Sequence, residues 1–310
     1  MNSDTSLSTA MGYKLLRETC GQKCLPSSAV ILLSGEDARG WLQGQVTQDL
    51  RNLLPDGSQN ACLCKSTGQI EAILKIYRCE QGIIIVTDAP DVVLQRVNDF
   101  VILEDVAAQL LPGVITTIQG PQATKVLSSQ FNLPSGDASC EDGVWLLRHD
   151  RTGLGGWDVF SSSTSVIPDS IEVIDEESWL LARLEAGFPE IGVDIDSKTL
   201  PPELGPAFEG AHVSYKKGCY SGQEVLHRIY ARGHTNRTWV GLFCDGQVEI
   251  GAEVSFRNEV VGTVTRVADS PEFGRIAAAI VKNRVAQEGL SVSVAGVAAE
   301  VIHMPFLHVD

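Results

Sequence analysis

The residue types and spacings best suited to chemistry fall in one short stretch of this sequence, residues 215–224, which reads Tyr-Lys-Lys-Gly-Cys-Tyr-Ser-Gly-Gln-Glu. Ser221 and Glu224 have the Ser-x-x-Glu spacing of a capping box, and apolar residues follow them at helical intervals. The pattern therefore predicts a helix that begins shortly after Cys219, and a glycine-containing loop that carries this cysteine.

A cysteine just before a helix N-terminus is a candidate nucleophile, redox thiol or cluster contact. Free backbone amides, the helix dipole and the nearby ammonium groups of Lys216 and Lys217 all favour the thiolate form of Cys219. We therefore give Cys219 and Lys217 candidate catalytic roles. The alternative is that Cys219 fills a small space while the glycines serve the turn, and spacing assigns no histidine or aspartate as its base.

The composition indicates a soluble globular protein, with 44% hydrophobic and 20% charged residues in a chain of 310. The net charge of −15 argues against nonspecific binding to nucleic acid or to an anionic membrane, so we expect no direct nucleic-acid binding, although a local basic patch could still contact RNA. No stretch approaches the roughly 20 apolar residues that span a bilayer, and the first residues do not form a secretory signal. We expect a cytoplasmic protein without a membrane partner.

The eight cysteines do not have the spacing of a secreted disulfide framework. Cys20 and Cys24, like Cys62 and Cys64, are close enough in sequence to be considered as metal ligands. Neither pair has a second Cys or His pair at zinc-finger distance. We therefore expect reduced, partly buried thiols and no metal site.

The first two-thirds of the chain mixes strand and helix signals without regular alternation, which predicts an α+β fold. Residues 72–77 and 82–87 have the pattern of strands, and Pro90 begins a helix. The clearest helix covers residues 174–187, where Asp175 is a suitable N-cap.

The pattern changes after about residue 239, where short strands are separated by turn signals. Six strands with almost no helix predict a small C-terminal antiparallel β-barrel. We therefore expect two domains, residues 1–238 and 239–310. The predicted strands are residues 240–243, 253–256, 260–267, 275–281, 290–294 and 299–303.

Residues 217–224 resemble the signature of the YgfZ family, Lys-Gly-Cys-aromatic-x-Gly-Gln/Glu. These folate-binding proteins are related to the T-protein (GcvT, aminomethyltransferase) of the glycine cleavage system. Residues 41–49, which read Trp-Leu-Gln-Gly-Gln-Val-Thr-Gln-Asp, and residues 179–189 resemble two further segments of the family. The signature residues here are Lys217, Gly218, Cys219, Tyr220, Gly222, Gln223 and Glu224.

The resemblance implies a GcvT-like fold around a central channel that holds tetrahydrofolate. It also implies an accessory role in the assembly or repair of a subset of iron–sulfur enzymes, including one that modifies tRNA, so that iron–sulfur client proteins would be partners. Whether the protein is an enzyme stays open. The alternative is a folate-dependent one-carbon (aminomethyl) transferase that acts on an unidentified amine.

Two groups of residues are candidates for binding the folate. Trp179 and Arg183 are four apart on one helix and share a face, so an indole could stack on the pterin and a guanidinium could bind a carboxylate. Gln45, Thr47 and Asp49 alternate along the chain and could present polar groups to one side. The alternatives are a core tryptophan with an arginine that ties neighbouring elements, and a structural cap at Asp49.

The sequence departs from the T-protein pattern at two places. The methyltransferase relatives have Gly-Gly-x-x-Asp-Asp where residues 68–73 read Gly-Gln-Ile-Glu-Ala-Ile, and a side chain one place early, as at Glu71, points to the opposite face of a strand. Trp157 stands where these relatives have an acid that contacts the pterin. The sequence therefore supplies no obvious carboxylate near the folate, and we expect no glycine-cleavage chemistry.

Overall fold

The protein has the α+β architecture that the sequence predicts, and a computed structural model describes residues 9–162 and 166–307. The described helices are α1 (Thr9–Glu18), α2 (Ala38–Gln43), α3 (Pro90–Phe100), α4 (Ala123–Leu127), α5 (Glu176–Glu185), α6 (Pro206–His212) and α7 (Gln223–Arg232). The strands that precede the barrel are β1 (Gly21–Leu25), β2 (Ala29–Ser34), β3 (Ser58–Cys64), β4 (Ile70–Cys79), β5 (Gly82–Thr87), β6 (Ala107–Leu110), β7 (Val114–Gln119), β8 (Ala138–Glu141), β9 (Val144–Arg148) and β10 (Gly156–Ser161).

Two five-stranded antiparallel sheets form the larger part of the molecule, in the orders β3-β4-β5-β2-β6 and β1-β7-β10-β9-β8. Their inner faces meet in a hydrophobic cluster to which both sheets contribute, with Tyr77 and Val86 from the first sheet and Leu147 and Phe160 from the second. The outer faces are covered by helices, α2 and α3 on the first sheet and α4 on the second.

Strand alternation decides which residues of β4 face the second sheet. Ala72 and Leu74 pack into the cluster under α2 and α3, as expected for one face of a strand with a period of two. Ile73 and Lys75 lie on the opposite face with Tyr77, whose hydroxyl donates to the carbonyl oxygen of Arg148 at 3.0 Å. This face of β4 borders the candidate site described below.

Helix α5 confirms the clearest helix prediction. The Asp175 carboxylate accepts a hydrogen bond from the backbone amide of Ser178 at 2.8 Å, which caps the first turn. Gly187, with φ of +70°, follows the end of the helix. Glu185 of α5 is fully buried and pairs with Arg17 of α1, so α1 and α5 are joined through charged groups as well as through apolar contacts.

The last part of the chain forms the predicted barrel, which is closed in the order β11-β14-β13-β12-β15-β16. All six predicted strands are confirmed. Their observed bounds are β11 (Arg237–Cys244), β12 (Glu253–Phe256), β13 (Glu259–Ser270), β14 (Gly274–Lys282), β15 (Ser291–Val294) and β16 (Val297–Ile302).

A buried carboxylate joins the barrel to the rest of the protein. Asp194 has no exposed surface, pairs with Arg266 at 2.9 Å and accepts a hydrogen bond from the indole nitrogen of Trp239 at 3.0 Å. Arg266 also donates to the carbonyl oxygen of Phe188 at 2.8 Å. The segment after α5 is therefore held against the barrel. No helix among the described residues is long and apolar enough to cross a membrane.

Candidate functional site

A cavity of about 600 Å³ lies where β4, β5, the segment after β9, α5 and α6 approach one another. This volume is typical of small-molecule sites. Ile73, Phe188 and Phe208 contribute apolar wall. The ionisable residues that line the cavity are Lys75, Asp88, His149, Asp150, Arg151, Arg183, Glu190 and His212.

Arg151 and Asp158 form a buried ion pair at one wall of the cavity. The guanidinium binds the carboxylate through two nitrogens, with Nη2 2.7 Å from Oδ2 and Nε 3.0 Å from Oδ1. The same carboxylate lies 2.8 Å from Nδ1 of His149. Burial and the neighbouring charge of Arg151 lower the pKa of His149 to about 4, so this imidazole is neutral at pH 7. The positive charge of Arg151 is therefore balanced within the protein.

Arg183 is differently placed, because its guanidinium makes no hydrogen bond or ion pair with the residues that the structure describes. It lies 5.4 Å from the ring centre of Trp179 and 5.7 Å from that of Phe188, and it borders the cavity. Burial lowers the pKa of Arg183 to about 10, so the group stays charged at pH 7. A planar donor of this kind is suited to a carboxylate ligand.

Trp179 does not line the cavity, although it shares a helix face with Arg183. Only 5% of its surface is exposed, and it packs with Leu16, Ile174 and Ala182 in the core between α1 and α5. This position gives no support to the predicted stacking of Trp179 on a pterin. It supports the part of the alternative that makes Trp179 a core residue.

The predicted polar group at 45, 47 and 49 also lies away from the cavity. The Thr47 hydroxyl is fully buried and donates to the carbonyl oxygen of His212 at 2.6 Å. Asp49 accepts hydrogen bonds from Arg51 and caps the short 3₁₀ helix Leu50–Asn52. Gln45 accepts a long hydrogen bond from Arg96 at 3.5 Å. These contacts are structural, and the cap was the alternative for Asp49.

Lys217 connects the signature loop to this same segment. Its Nζ donates hydrogen bonds to the carbonyl oxygens of Gln43 and Val46, both at 2.6 Å, and of Gln48 at 2.8 Å. Burial lowers the pKa of Lys217 to about 8. Because all three donors of the ammonium are used, the geometry favours a positioning role for Lys217 over the predicted catalytic one.

Cys219 is exposed between two buried residues of the signature loop, Lys217 and Tyr220. The Tyr220 ring lies 5.0 Å from Nζ of Lys217, and only 7% of this residue is exposed. Gly218 has open space around it. The loop therefore presents one thiol to solvent from a fixed base.

The predicted capping box is wrong. The N-cap of α7 is Gly222, with φ of +89°, and no side chain caps the helix. A Cβ atom at position 222 would lie 2.6 Å from the carbonyl oxygen of Lys65, so the close approach of the turn after β3 requires glycine. Gln223 contacts His227 at 3.1 Å, and Glu224 is exposed. Cys219 consequently lies farther from the start of the helix than the spacing predicts.

The structure shows where the two segments that differ from the T-protein pattern lie relative to the cavity. Ile73 lines the cavity, while Glu71 lies at a bulge in the β3–β4 pairing, is bound by Arg96 of α3 and does not border the cavity. Trp157 is fully buried, and its indole nitrogen donates to the Thr124 hydroxyl at 2.9 Å. Neither Glu71 nor Trp157 is therefore free to contact a ligand in the cavity.

Three carboxylates line the cavity, those of Asp88, Asp150 and Glu190, and the sequence patterns had identified none of them. All three come from segments that follow a strand or a helix, where sequence patterns assign no direction to a side chain. Lys75 was missed as well. A lysine inside an otherwise apolar strand was the signal that could have identified it.

The cysteine pairs show no metal arrangement in the described ranges, where no group of three or more His, Cys, Asp or Glu residues is placed to hold an ion. Cys62 and Cys64 are fully buried in β3, and burial raises the pKa of Cys64 to about 12. Cys20 is buried and Cys24 is exposed.

Comparisons with known proteins agree with the fold and the motifs. Residues 237–308 match the family described as the glycine cleavage T-protein C-terminal barrel domain. The chain is 27% identical over 220 residues to the tRNA-modifying protein YgfZ of Enterobacter sp. (strain 638), a match that covers 67% of each chain. It is 25% identical over 243 residues to the protein of the same name from Yersinia enterocolitica, covering 74% of this chain and 73% of that protein.

The crystal structure of the glycine cleavage system aminomethyltransferase T from Bartonella henselae has the same fold, with a TM-score of 0.87. The match covers 96% of this chain and 89% of that chain at 21% sequence identity. The predicted resemblance to YgfZ proteins and the GcvT-like fold are both confirmed.

Proposed function

We propose that this relative of the YgfZ proteins binds tetrahydrofolate in the cavity and serves, through its Cys219 loop, as an accessory factor for iron–sulfur enzymes. The observation that carries the folate part is the Arg183 guanidinium, which borders a cavity of about 600 Å³ without a hydrogen-bond or ion-pair partner among the described residues. A partly buried charge without a partner loses hydration that is not replaced, and an acidic ligand would supply the partner.

The residues around the cavity suit a folate. Phe188 and Phe208 supply apolar surface for a flat ring, and Arg183 supplies donors for a carboxylate. When bound, tetrahydrofolate supplies one-carbon carrier chemistry. The protein residues bind it, orient it and exclude water.

The iron–sulfur part of the proposal rests on the Cys219 loop and on the relatives. An exposed thiol held between two buried anchors is suited to contact with a partner protein. The relatives are named tRNA-modifying proteins, and enzymes of tRNA modification are among the client proteins that we propose. We place this activity in the cytoplasm.

A tetrahydrofolate titration tests the folate part, with tryptophan fluorescence as the signal because Trp179 lies 5.4 Å from Arg183. We expect saturable quenching of the wild type and a large loss of affinity in Arg183→Gln. Arg257→Gln, a change at an exposed arginine of the barrel, is the control and should bind as the wild type does. Absence of binding by the wild type would reject the folate part.

Rescue of a gene-deletion strain tests the Cys219 part. We expect Cys219→Ala to fail to restore the activity of iron–sulfur enzymes. Cys24→Ala, which removes another exposed thiol, should restore it. Full rescue by Cys219→Ala would count against the proposed role of the loop.

A one-carbon transferase is the second candidate. The carboxylates of Asp88, Asp150 and Glu190 at the cavity favour it, whereas the sequence patterns identified no carboxylate for this role. Asp150 already accepts hydrogen bonds from the backbone amides of Thr152 and Gly153, at 3.0 and 2.7 Å. Turnover of a methylene or methyl donor with a panel of amines would support this candidate. Consistent absence of turnover would remove it.

A further inference from the structure

Lys75 extends from the inner face of β4 to the cavity, and its ammonium has no hydrogen-bond or ion-pair partner in the described part of the chain. The Nζ atom of Lys75 lies over the Tyr77 ring, 5.8 Å from the ring centre. Burial lowers the pKa of Lys75, as expected for a cation that is partly removed from water and forms no ion pair. The sequence motifs gave this residue no role.

The three acids whose charges act on the pKa of Lys75 all form hydrogen bonds or ion pairs with other groups. Asp158 is bound by Arg151 at 2.7 Å, and Asp137 accepts from the Ser58 hydroxyl at 2.7 Å and pairs with Arg148 at 3.3 Å. Asp150 accepts from two backbone amides that follow it. None of these carboxylates forms an ion pair with Lys75, although their charges favour its protonated form.

Arg183 is a second cation at the cavity that forms no ion pair with a residue whose position the structure describes. Asp88 and Glu190 are near enough to raise its pKa, but the Asp88 carboxylate is bound by the Ser28 hydroxyl and neither acid forms an ion pair with Arg183. Arg151, by contrast, is balanced by Asp158. Two cations thus border one cavity without an ion pair to any described residue, although the carboxylates of Asp88, Asp150 and Glu190 also line it.

We infer that Lys75 and Arg183 bind the acidic end of the cavity ligand, so that the site selects folates with a glutamyl group over pterins without one. The inference rests on the proposed folate function. The ring system of tetrahydrofolate is neutral near pH 7, and its two negative charges are the carboxylates of the glutamyl group. These carboxylates are therefore the ligand groups that match two unpaired cations.

Calorimetric titration of the full chain under anaerobic conditions tests this inference. The probes are tetrahydrofolate and 6-methyltetrahydropterin, which has the ring but no glutamyl group. The proteins are the wild type, Lys75→Met, which removes the charge, Lys75→Arg, which keeps it, and Lys125→Met, a control at an exposed lysine of α4.

We expect Lys75→Met to weaken tetrahydrofolate binding by roughly 10- to 100-fold, the size expected for a lost charge-assisted hydrogen bond. Its binding of 6-methyltetrahydropterin should be unchanged, and Lys75→Arg and Lys125→Met should both retain tetrahydrofolate affinity. Because Lys75 borders the cavity, unchanged pterin binding by Lys75→Met also shows that the variant is folded.

Two results would overturn the inference while leaving the folate function in place. One is full tetrahydrofolate affinity in Lys75→Met, and the other is an equal loss for both ligands, which would show a general effect on the cavity. Failure of the wild type to bind tetrahydrofolate is a separate result that rejects the folate function and the inference with it.

Discussion

Nζ of Lys217 lies 2.6 Å from the carbonyl oxygen of Val46, and this contact joins two segments that both resemble the YgfZ family. The signature loop is thereby fixed to the loop after α2, with Ser221 adding a backbone hydrogen bond to Gly44 at 3.3 Å. The lysine of the signature thus determines where Cys219 is presented.

Replacement of this lysine should destabilise the fold. Lys217→Met would leave three carbonyl oxygens without their donor, one of them buried and two part-buried, so we expect the free energy of unfolding to fall by about 2–4 kcal/mol. Urea denaturation measures the change. Lys216→Met, at the exposed neighbouring lysine, is the control and should change stability by less than about 0.5 kcal/mol. Equal stability of the two variants would contradict the anchoring role.

The two glycines of the signature should differ in their tolerance of a side chain. Gly222 has φ of +89° and an added Cβ would lie 2.6 Å from the Lys65 carbonyl oxygen, so we expect Gly222→Ala to lower the melting temperature and to alter the reaction rate of the Cys219 thiol. A loss of about 2–3 kcal/mol is expected from the strain and the contact. Gly218→Ala meets open space and should be nearly neutral. The opposite order would show that the turn is placed differently.

Stability should fall as the pH is lowered, in part because of His212. Burial lowers the pKa of His212 to about 4 from an ordinary value of 6.5, so the unfolded chain binds more protons between these values. The stabilisation is complete above pH 6.5 and is lost as the pH falls towards 4. We expect His212→Asn to reduce the loss of stability across this interval by about 3 kcal/mol, relative to the wild type. Denaturant titrations at several pH values give this difference, and parallel curves for the two proteins would disprove it.

The attachment of the barrel depends on the buried carboxylate of Asp194. Asp194→Ala would leave Arg266 buried and without its counterion, so we expect a loss of about 3–5 kcal/mol in the free energy of unfolding. Asp196→Ala removes the more exposed partner of Arg237 and should cost less than about 1 kcal/mol. Differential scanning calorimetry compares the two variants. Similar losses in both would mean that burial does not decide the strength of these pairs.

Several elements could be predicted because their signals are local. The strands of the barrel alternate and are punctuated by turn residues, and Asp175 caps α5 as its position indicates. The N-cap of α7, by contrast, could not be predicted from the local sequence. Whether Gly222 or Ser221 is the N-cap depends on the approach of Lys65, a residue far away in the sequence.

The candidate site also contains residues that local patterns identify and residues whose roles depend on contacts between distant segments. Cys219 could be identified from its neighbours, since a cysteine among glycines and lysines has a local signature. Lys75 could not be assigned a ligand role, because an unpaired charge is a property of everything that packs around it. Trp179 was predicted to contact the ligand from its helix face, yet α1 covers its ring.

By itself, the sequence determined the family resemblance, the α+β class, the closed barrel and the loop that carries Cys219, because all of these depend on residue type and short spacing. The tertiary structure alone decided that Lys217 is a buried anchor and that Arg183 and Lys75 border the cavity without forming an ion pair within residues 9–162 and 166–307. The physical reason is that burial and charge balance arise from segments brought together by folding, and side-chain spacing along the chain does not record which segments meet.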